Sequence, residues 1–230
     1  MNNPQEKIQK FLANLPMFRE LAPEEITRIA LGTREVHAER GTVLFRKGDP
    51  CVGFHVIVYG QIKLAINSPN GDERVIDLLG AGQSFGEALM FTEQPYVVYA
   101  ETLADSLLLY ITKDVVFEEI ARTPGFAHRM IASLSRRLHT LIRELESYAF
   151  DSGIQRVIGY LLQAQADAGG SGKSAQVTLP TRKAIIASRL NLTPEHFSRT
   201  LHELEKASMI RIAGRKITIA DVTQLRNYRR

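Results

Sequence analysis

The chain has one cysteine, Cys51, no long apolar run, and none of the spaced side-chain sets that mark the common enzyme families. A single thiol allows no internal disulfide and suits a reducing compartment. It also excludes an iron–sulfur cluster held within one chain, which takes several thiolates, typically about four; a small apolar filler is the plain reading of Cys51. The longest apolar runs, such as Phe54–Tyr59 and Leu107–Ile111, fall far short of the roughly 20 residues that cross a bilayer. Residues 1–15 mix Gln, Glu and Lys with their apolar positions, so no secretory signal and no membrane partner are expected, and the cytoplasm is the expected location. No paired Cys/His metal spacing, nucleophile elbow or dinucleotide loop appears, and Asp49 and Asp77 read as isolated carboxylates in or beside turns. No enzyme is expected. Gly172-Lys173-Ser174 closes a flexible loop that begins at Ala168. It fails as a phosphate loop, because the first required glycine falls at Asp167 and a helix, not a buried strand, precedes it.

What is present is a soluble globular composition with an uneven charge. Of 230 residues 44% are hydrophobic and 23% charged. Residues 151–230 hold 13 Lys and Arg against 6 Asp and Glu, whereas residues 1–150 hold 16 against 19. A basic C-terminal third on a near-neutral body points to an anionic partner, most simply nucleic acid.

The pattern along the chain changes twice. Ile8, Phe11, Leu12 and Leu15 recur at helical spacing before Pro16, and Pro23 suits the first turn of a second short helix. From about residue 34 to 112, β-prone runs (Thr42–Phe45, Phe54–Tyr59, Ile62–Ile66, Val75–Leu79, Val97–Glu101, Leu107–Ile111) alternate with glycine-containing turns. Asn70-Gly71 is the strongest hairpin signal among them. Many short strands imply an antiparallel barrel, roll or sandwich. A long helix follows. In it Ala127, Ile131, Leu134, Leu138, Leu141, Leu145 and Tyr148 alternate spacings of four and three, a heptad seam that favours contact with a second helix. A homodimer joined at Ile131, Leu134, Leu138, Leu141, Leu145 and Tyr148 is therefore expected. The implied fold is α+β, with an antiparallel β-roll at 1–123, a dimerisation helix at 124–150 and a DNA-binding domain at 151–230.

That last domain reads as a winged helix-turn-helix. A helix capped by Thr181 runs to about Leu190. Asn191 supplies a sharp turn, Thr193 caps a second helix, and Pro194 fits its first position. Ala187 and Phe197 provide the small and core positions of a close helix crossing. Met209–Ile212 and Lys216–Ile219 flank Ala213-Gly214-Arg215 as a hairpin wing. Glu195, Ser198 and Arg199 share one exposed face near the N-terminus of the second helix. In a major groove Arg can fork onto guanine, Glu can accept from cytosine, and Ser can serve either base type. Thr193 and His196 are further expected contacts. Arg182, Lys183, Arg189, Arg211, Arg215 and Lys216 are candidate phosphate anchors, which position without specifying.

These three parts together resemble the CRP/FNR family of bacterial transcription regulators. Phe85-Gly86-Glu87-Ala88-Leu89-Met90-Phe91 resembles the Phe-Gly-Glu element of that family's effector pocket. Leu190–Arg199 resembles its recognition segment, with Asn191 in place of the usual Gly. The Glu-x-x-Ser-Arg form is similar to the FNR-type branch, which implies a palindrome like TTGAT-N4-ATCAA in double-stranded DNA, and contact with RNA polymerase if the protein activates. The resemblance also implies an effector pocket drawn from Phe85, Gly86, Glu87, Ala88, Leu89, Val97, Val98, Leu138, Leu141 and Ile142.

The same resemblance bears on the effector. Cyclic-nucleotide-binding members place an Arg nine or ten residues beyond the Glu to pair the phosphate, and a Thr-Ser pair on the long helix to meet adenine. Here those places hold Pro95–Tyr99 and Leu141-Ile142, so a buried phosphate would lack its cation. Cyclic AMP is disfavoured, and an apolar pocket remains. The wider pattern is similar to the regulators of dissimilatory nitrate respiration in the same family, which implies haem and nitric oxide sensing. His37, His55, His128, His139, His196 and His202 are the candidate axial ligands, and their spacing singles out none. Cyclic-nucleotide-responsive and ligand-independent regulators of the same fold are the alternatives.

Overall fold

The computed structural model describes residues 4–167 and 172–228, and the chain divides after His139 into two compact units. Ala168–Ser171 of the expected glycine-rich loop lie outside the described residues. No helix among those described is long and apolar enough to cross a membrane.

The first unit opens with α1 (Pro4–Asn14) and α2 (Pro23–Leu31). Ile8 and Leu12 turn inward from α1. Pro23 heads α2, where Glu25 Oε2 accepts a hydrogen bond from the Ala22 backbone N–H at 2.5 Å, which satisfies a donor that the helix start leaves free. There follow β1 (Thr33–Ala38), β2 (Val43–Phe45), β3 (Gly53–Tyr59), β4 (Ile62–Asn67), β5 (Glu73–Leu79), β6 (Ser84–Phe85), α3 (Glu87–Thr92), β7 (Tyr99–Thr102), β8 (Ser106–Thr112) and α4 (Lys113–Arg122). The strands form two four-stranded sheets, ordered β1-β8-β3-β6 and β2-β7-β4-β5. Every pairing is antiparallel. The expected roll is present, with Phe18, Phe54, Ile57, Leu108 and Met90 in its core. Gly71 turns the β4–β5 hairpin at φ +90°, a conformation that side-chain-bearing residues rarely adopt.

Two of the ionic clusters in this unit are centred on buried charges, and periodicity announces neither. Glu119 of α4 is 1% exposed and takes both Nε and Nη2 of Arg28 from α2, each at 2.7 Å; Thr123 Oγ1 adds a third donor at 3.0 Å. Lys63 of β4 is buried between Glu73 of β5 and Glu101 of β7, at 2.7 and 3.0 Å. Burial alone would lower the Lys63 ammonium, but the two carboxylates outweigh it and hold the group above its usual range. Asp77, expected in or beside a turn, instead lies within β5 and pairs with Arg137 at 2.8 Å.

Arg137 belongs to α5 (Pro124–Phe150), a 27-residue helix in which the boundary between the units falls. Phe126 and Met130 of α5 are buried in the core of the first unit. The stripe through Ile131, Leu138, Leu141 and Leu145 is different: these are 59%, 58%, 42% and 68% exposed. At about 100° per residue the two stripes are centred roughly 90° apart, so one helix carries a face for its own core and a second face without cover.

The second unit continues through α6 (Gly153–Asp167), β9 (Ala175–Thr178), α7 (Lys183–Arg189), α8 (Pro194–Lys206), β10 (Ile210–Ala213), β11 (Lys216–Ile219) and α9 (Val222–Asn227). α7 begins one residue later than expected: Arg182, in extended conformation, is its cap residue, and Thr181 is buried rather than capping. The hairpin β10–β11 stands where a wing was expected, and β9 adds a third antiparallel strand on β11 that no periodic signal marked.

Candidate nucleic-acid interface and ligand site

The α7–α8 pair is built from its turn outward. Asn191 adopts φ +56°, Leu192 N–H returns to Ala187 O at 2.9 Å, and Thr193 Oγ1 accepts from the His196 N–H at 3.2 Å. Turn, cap and Pro194 start therefore stand as the residue types imply. Phe197, Thr200, Leu201 and Leu204 form the buried face of α8, and Ala187 of α7 is fully buried opposite them.

Glu195 and Arg199 lie on the opposite, exposed face, and Ser198 at its margin is half-buried. His202 and Lys206 continue this exposed stripe by further turns. His196 falls on the flank instead: its ring lies against Gly153 at the start of α6, where a Cβ would come within 2.9 Å of Nε2. Thr193 is exposed, but its hydroxyl is engaged in the cap.

The cations around this face differ in freedom. Arg182, Arg211 and Lys216 are exposed. Arg215, expected to hold phosphate, donates through Nε to Leu179 O at 2.9 Å and through Nη2 to Pro180 O. Those bonds tie the wing tip to the segment that enters α7. Tyr148, expected at the far end of the dimer seam, is half-buried and hydrogen-bonded to Arg189, so the exposed stripe of α5 ends at Leu145.

In the first unit the Phe85–Glu87 element has a clear local logic. Phe85 ends β6 and is buried, Gly86 turns at φ +98°, and Glu87 starts α3 with its carboxylate inward and 4% exposed. Burial pushes the Glu87 carboxyl above its usual range, and its own backbone N–H, then Arg137 and the Ser84 hydroxyl, draw it part way back. Ser84 Oγ donates to Oε1 at 3.2 Å, while Oε2 is buried with no hydrogen-bond partner. Around this element sit Cys51, whose Sγ lies 3.4 Å from Gly86 O, and Tyr96, which stacks on Phe45 at 3.5 Å between centroids.

His55 of β3 belongs to the same interior, with its ring 5.0 Å from Phe85 and 4.9 Å from Tyr110. Burial pulls its pKa down to about 3, with Arg34 adding to the effect, and Nδ1 has no partner. Of the other pocket residues expected, Leu89 and Val98 are half-buried, Ala88 is exposed, and Val97 precedes β7 at 55% exposure. Leu138 is exposed on α5, and Leu141 and Ile142 belong to the second unit. Among the described residues no group of three or more His, Cys, Asp or Glu is placed to hold a metal ion.

Residues 35–123 match the cyclic nucleotide-binding domain, and residues 155–228 match the Crp-like helix-turn-helix domain. The chain is 25% identical over 219 residues to the CRP-like cAMP-activated global transcriptional regulator of Mycobacterium tuberculosis, covering 95% of this chain and 98% of that one. It is 28% identical over 211 residues to the cyclic AMP receptor protein of Thermus thermophilus, covering 91% and 94%. Among solved structures it is similar to DNR from Pseudomonas aeruginosa, at 29% identity, 98% coverage of each chain and a TM-score of 0.52.

Proposed function

The chain belongs to the CRP/FNR family of DNA-binding transcription regulators, and from that premise we propose that it acts as a cytoplasmic homodimer reading an FNR-type palindrome. The observation that carries this reading is the exposed Glu195–Arg199 face of α8, held by the Thr193 cap and backed by Phe197. Arg199 forks onto a guanine, Glu195 accepts from a cytosine amino group, and Ser198 serves the adjacent base. Arg182, Arg211 and Lys216 hold phosphates on either side. Two such helices one DNA turn apart require a two-fold pair, and the apolar stripe Ile131–Leu145 supports joining the copies there. RNA polymerase is the further partner if the protein activates. The test is salt-controlled titration of a TTGAT-N4-ATCAA duplex against one with scrambled half-sites; equal affinity for both defeats the reading.

For the effector we propose a ligand held by the Phe85–Glu87 interior, whose binding shifts the population of arrangements that aim α8. The similarity to DNR supports the nitrate-respiration branch, whose implied group is haem carrying nitric oxide. The donor chemistry suits it in part. His55 is neutral, buried and unpartnered at Nδ1, as an iron ligand must be. The space does not: Phe45, Phe85 and Tyr110 pack within 6 Å of that ring, so a porphyrin does not fit this packing. The relatives' names favour a second reading, a cyclic nucleotide. Buried Tyr96 and exposed Val97, nine and ten residues beyond Glu87 where a phosphate-pairing Arg would stand, weigh against it. One experiment separates the two. Apoprotein is titrated with haem and, separately, with cyclic AMP, following the Soret band and operator affinity before and after nitric oxide. No Soret shift and no nitric-oxide-dependent binding would remove haem.

A further inference from the structure

Three helices of the second unit converge behind the α7–α8 turn. The Tyr148 hydroxyl, from the end of α5, donates to the Arg189 carbonyl at 2.5 Å and accepts from Arg189 Nη1 at 2.9 Å. That carbonyl ends α7, where helical acceptors have no partner of their own. From α6, Arg156 Nη1 donates to Asp151 O at 3.0 Å and Nη2 to Asn191 O at 3.4 Å. Tyr160 of α6 lies in the same cluster: burial raises its phenol to about 12, and Arg189 draws it back somewhat. The backbone on both sides of Leu190 is thus fastened to α5 and α6, and the left-handed turn at Asn191 carries that restraint into α8.

We propose that Tyr148 is a positioning residue that sets the angle between α5 and the DNA-reading helix, and through it the half-site spacing a dimer accepts. The inference rests on the dimeric reading given above. Leu141 and Leu145, which carry the uncovered stripe, lie in the same compact unit as α8. Tyr148 is the last stripe position and is turned from that surface to the turn, half-buried where Leu145 is 68% exposed. In a two-fold pair any rotation of α8 about the end of α5 occurs twice, in mirrored sense along the duplex. A base pair adds only about 3.4 Å of rise, so a small loosening at this joint spreads the accepted spacings.

Full-length wild type and Tyr148→Phe, which keeps the ring and removes one oxygen, are titrated with duplexes bearing TTGAT and ATCAA half-sites separated by about three to six base pairs. Their masses are followed by sedimentation. The variant is expected to remain dimeric and to lose roughly fivefold to tenfold of the wild-type preference for its best spacing, the scale of one net hydrogen bond. An unchanged preference overturns the proposal. So does equal weakening at every spacing, which marks a merely structural role, and so does a monomeric variant, which returns Tyr148 to the seam. If wild type itself binds one half-site as tightly as two, the dimeric reading has failed and this inference falls with it.

Discussion

Replacing Leu145 by Ala tests the uncovered stripe of α5 where it is most exposed. Leu145 is 68% exposed and Leu138 58%, so most of each side chain is available for burial against a second copy. Leu carries three carbons beyond Ala, worth about 0.8 kcal/mol each when fully buried. Scaled by an exposure near two-thirds, the loss is about 1.5 kcal/mol per copy, and a two-fold interface suffers it twice. The dimer dissociation constant should therefore rise by about 3 kcal/mol, on the order of a hundredfold. Analytical ultracentrifugation over a dilution series reads this directly. Far-UV circular dichroism should be unchanged, because Leu145 contributes nothing to either buried core. Operator affinity should fall with the dimer population, and a high protein concentration should restore it. A variant that dimerises like wild type refutes the assignment of this stripe, whatever it does to DNA binding.

Other expectations follow from the same geometry. Arg199→Ala should cost about 1–3 kcal/mol per half-site and relax discrimination at one base pair, read by titrating a set of singly altered duplexes. Arg28→Gln should lower the urea midpoint at neutral pH. Glu119 is held below the usual carboxylate range by the Arg28 hydrogen bonds, so its contribution is present above the unfolded carboxylate pKa and is lost as pH falls through the folded one; the gap between variant and wild type should narrow on acidification. Glu87 has the opposite sign. Its folded pKa is raised by burial, so ionisation costs stability as pH rises from the unfolded toward the folded value. Glu87→Gln should then raise the thermal midpoint at neutral pH and make no difference in acid below the unfolded pKa.

Much of this fold is written in local residue choice. The strand runs, the Asn70-Gly71 hairpin and the Thr193-Pro194 helix start each place a conformational preference where the backbone needs it. The exposed face shared by Glu195, Ser198 and Arg199 was legible for the same reason, since helical spacing fixes which side chains emerge together. What escaped the sequence depends on partners distant along the chain. β9 is four residues long and acquires its strand conformation from β11; β6 has two residues and acquires its from β3. Asp77 looked solitary because its cation, Arg137, stands on α5. Tyr148 fits the heptad as well as Leu145 does, and only the presence of Arg189 behind it decides that its hydroxyl faces inward. His196 is exposed on the flank of α8, and only the fold brings its ring beside Gly153 at the start of α6.

Asn191 has a consequence in the state where none of these contacts exists. The resembling segment ordinarily has Gly here, and a turn at φ +56° suits Gly without strain. Asn pays a modest penalty for that conformation. In return the unfolded chain has fewer backbone conformations to surrender at this position, a saving of about 0.4–1 kcal/mol in comparable replacements. The two effects are of similar size, so the exchange leaves the folding equilibrium nearly level while narrowing the freedom of the joint in the denatured ensemble. Two helices that must cross at one angle are thereby connected by a residue that wanders less before they meet.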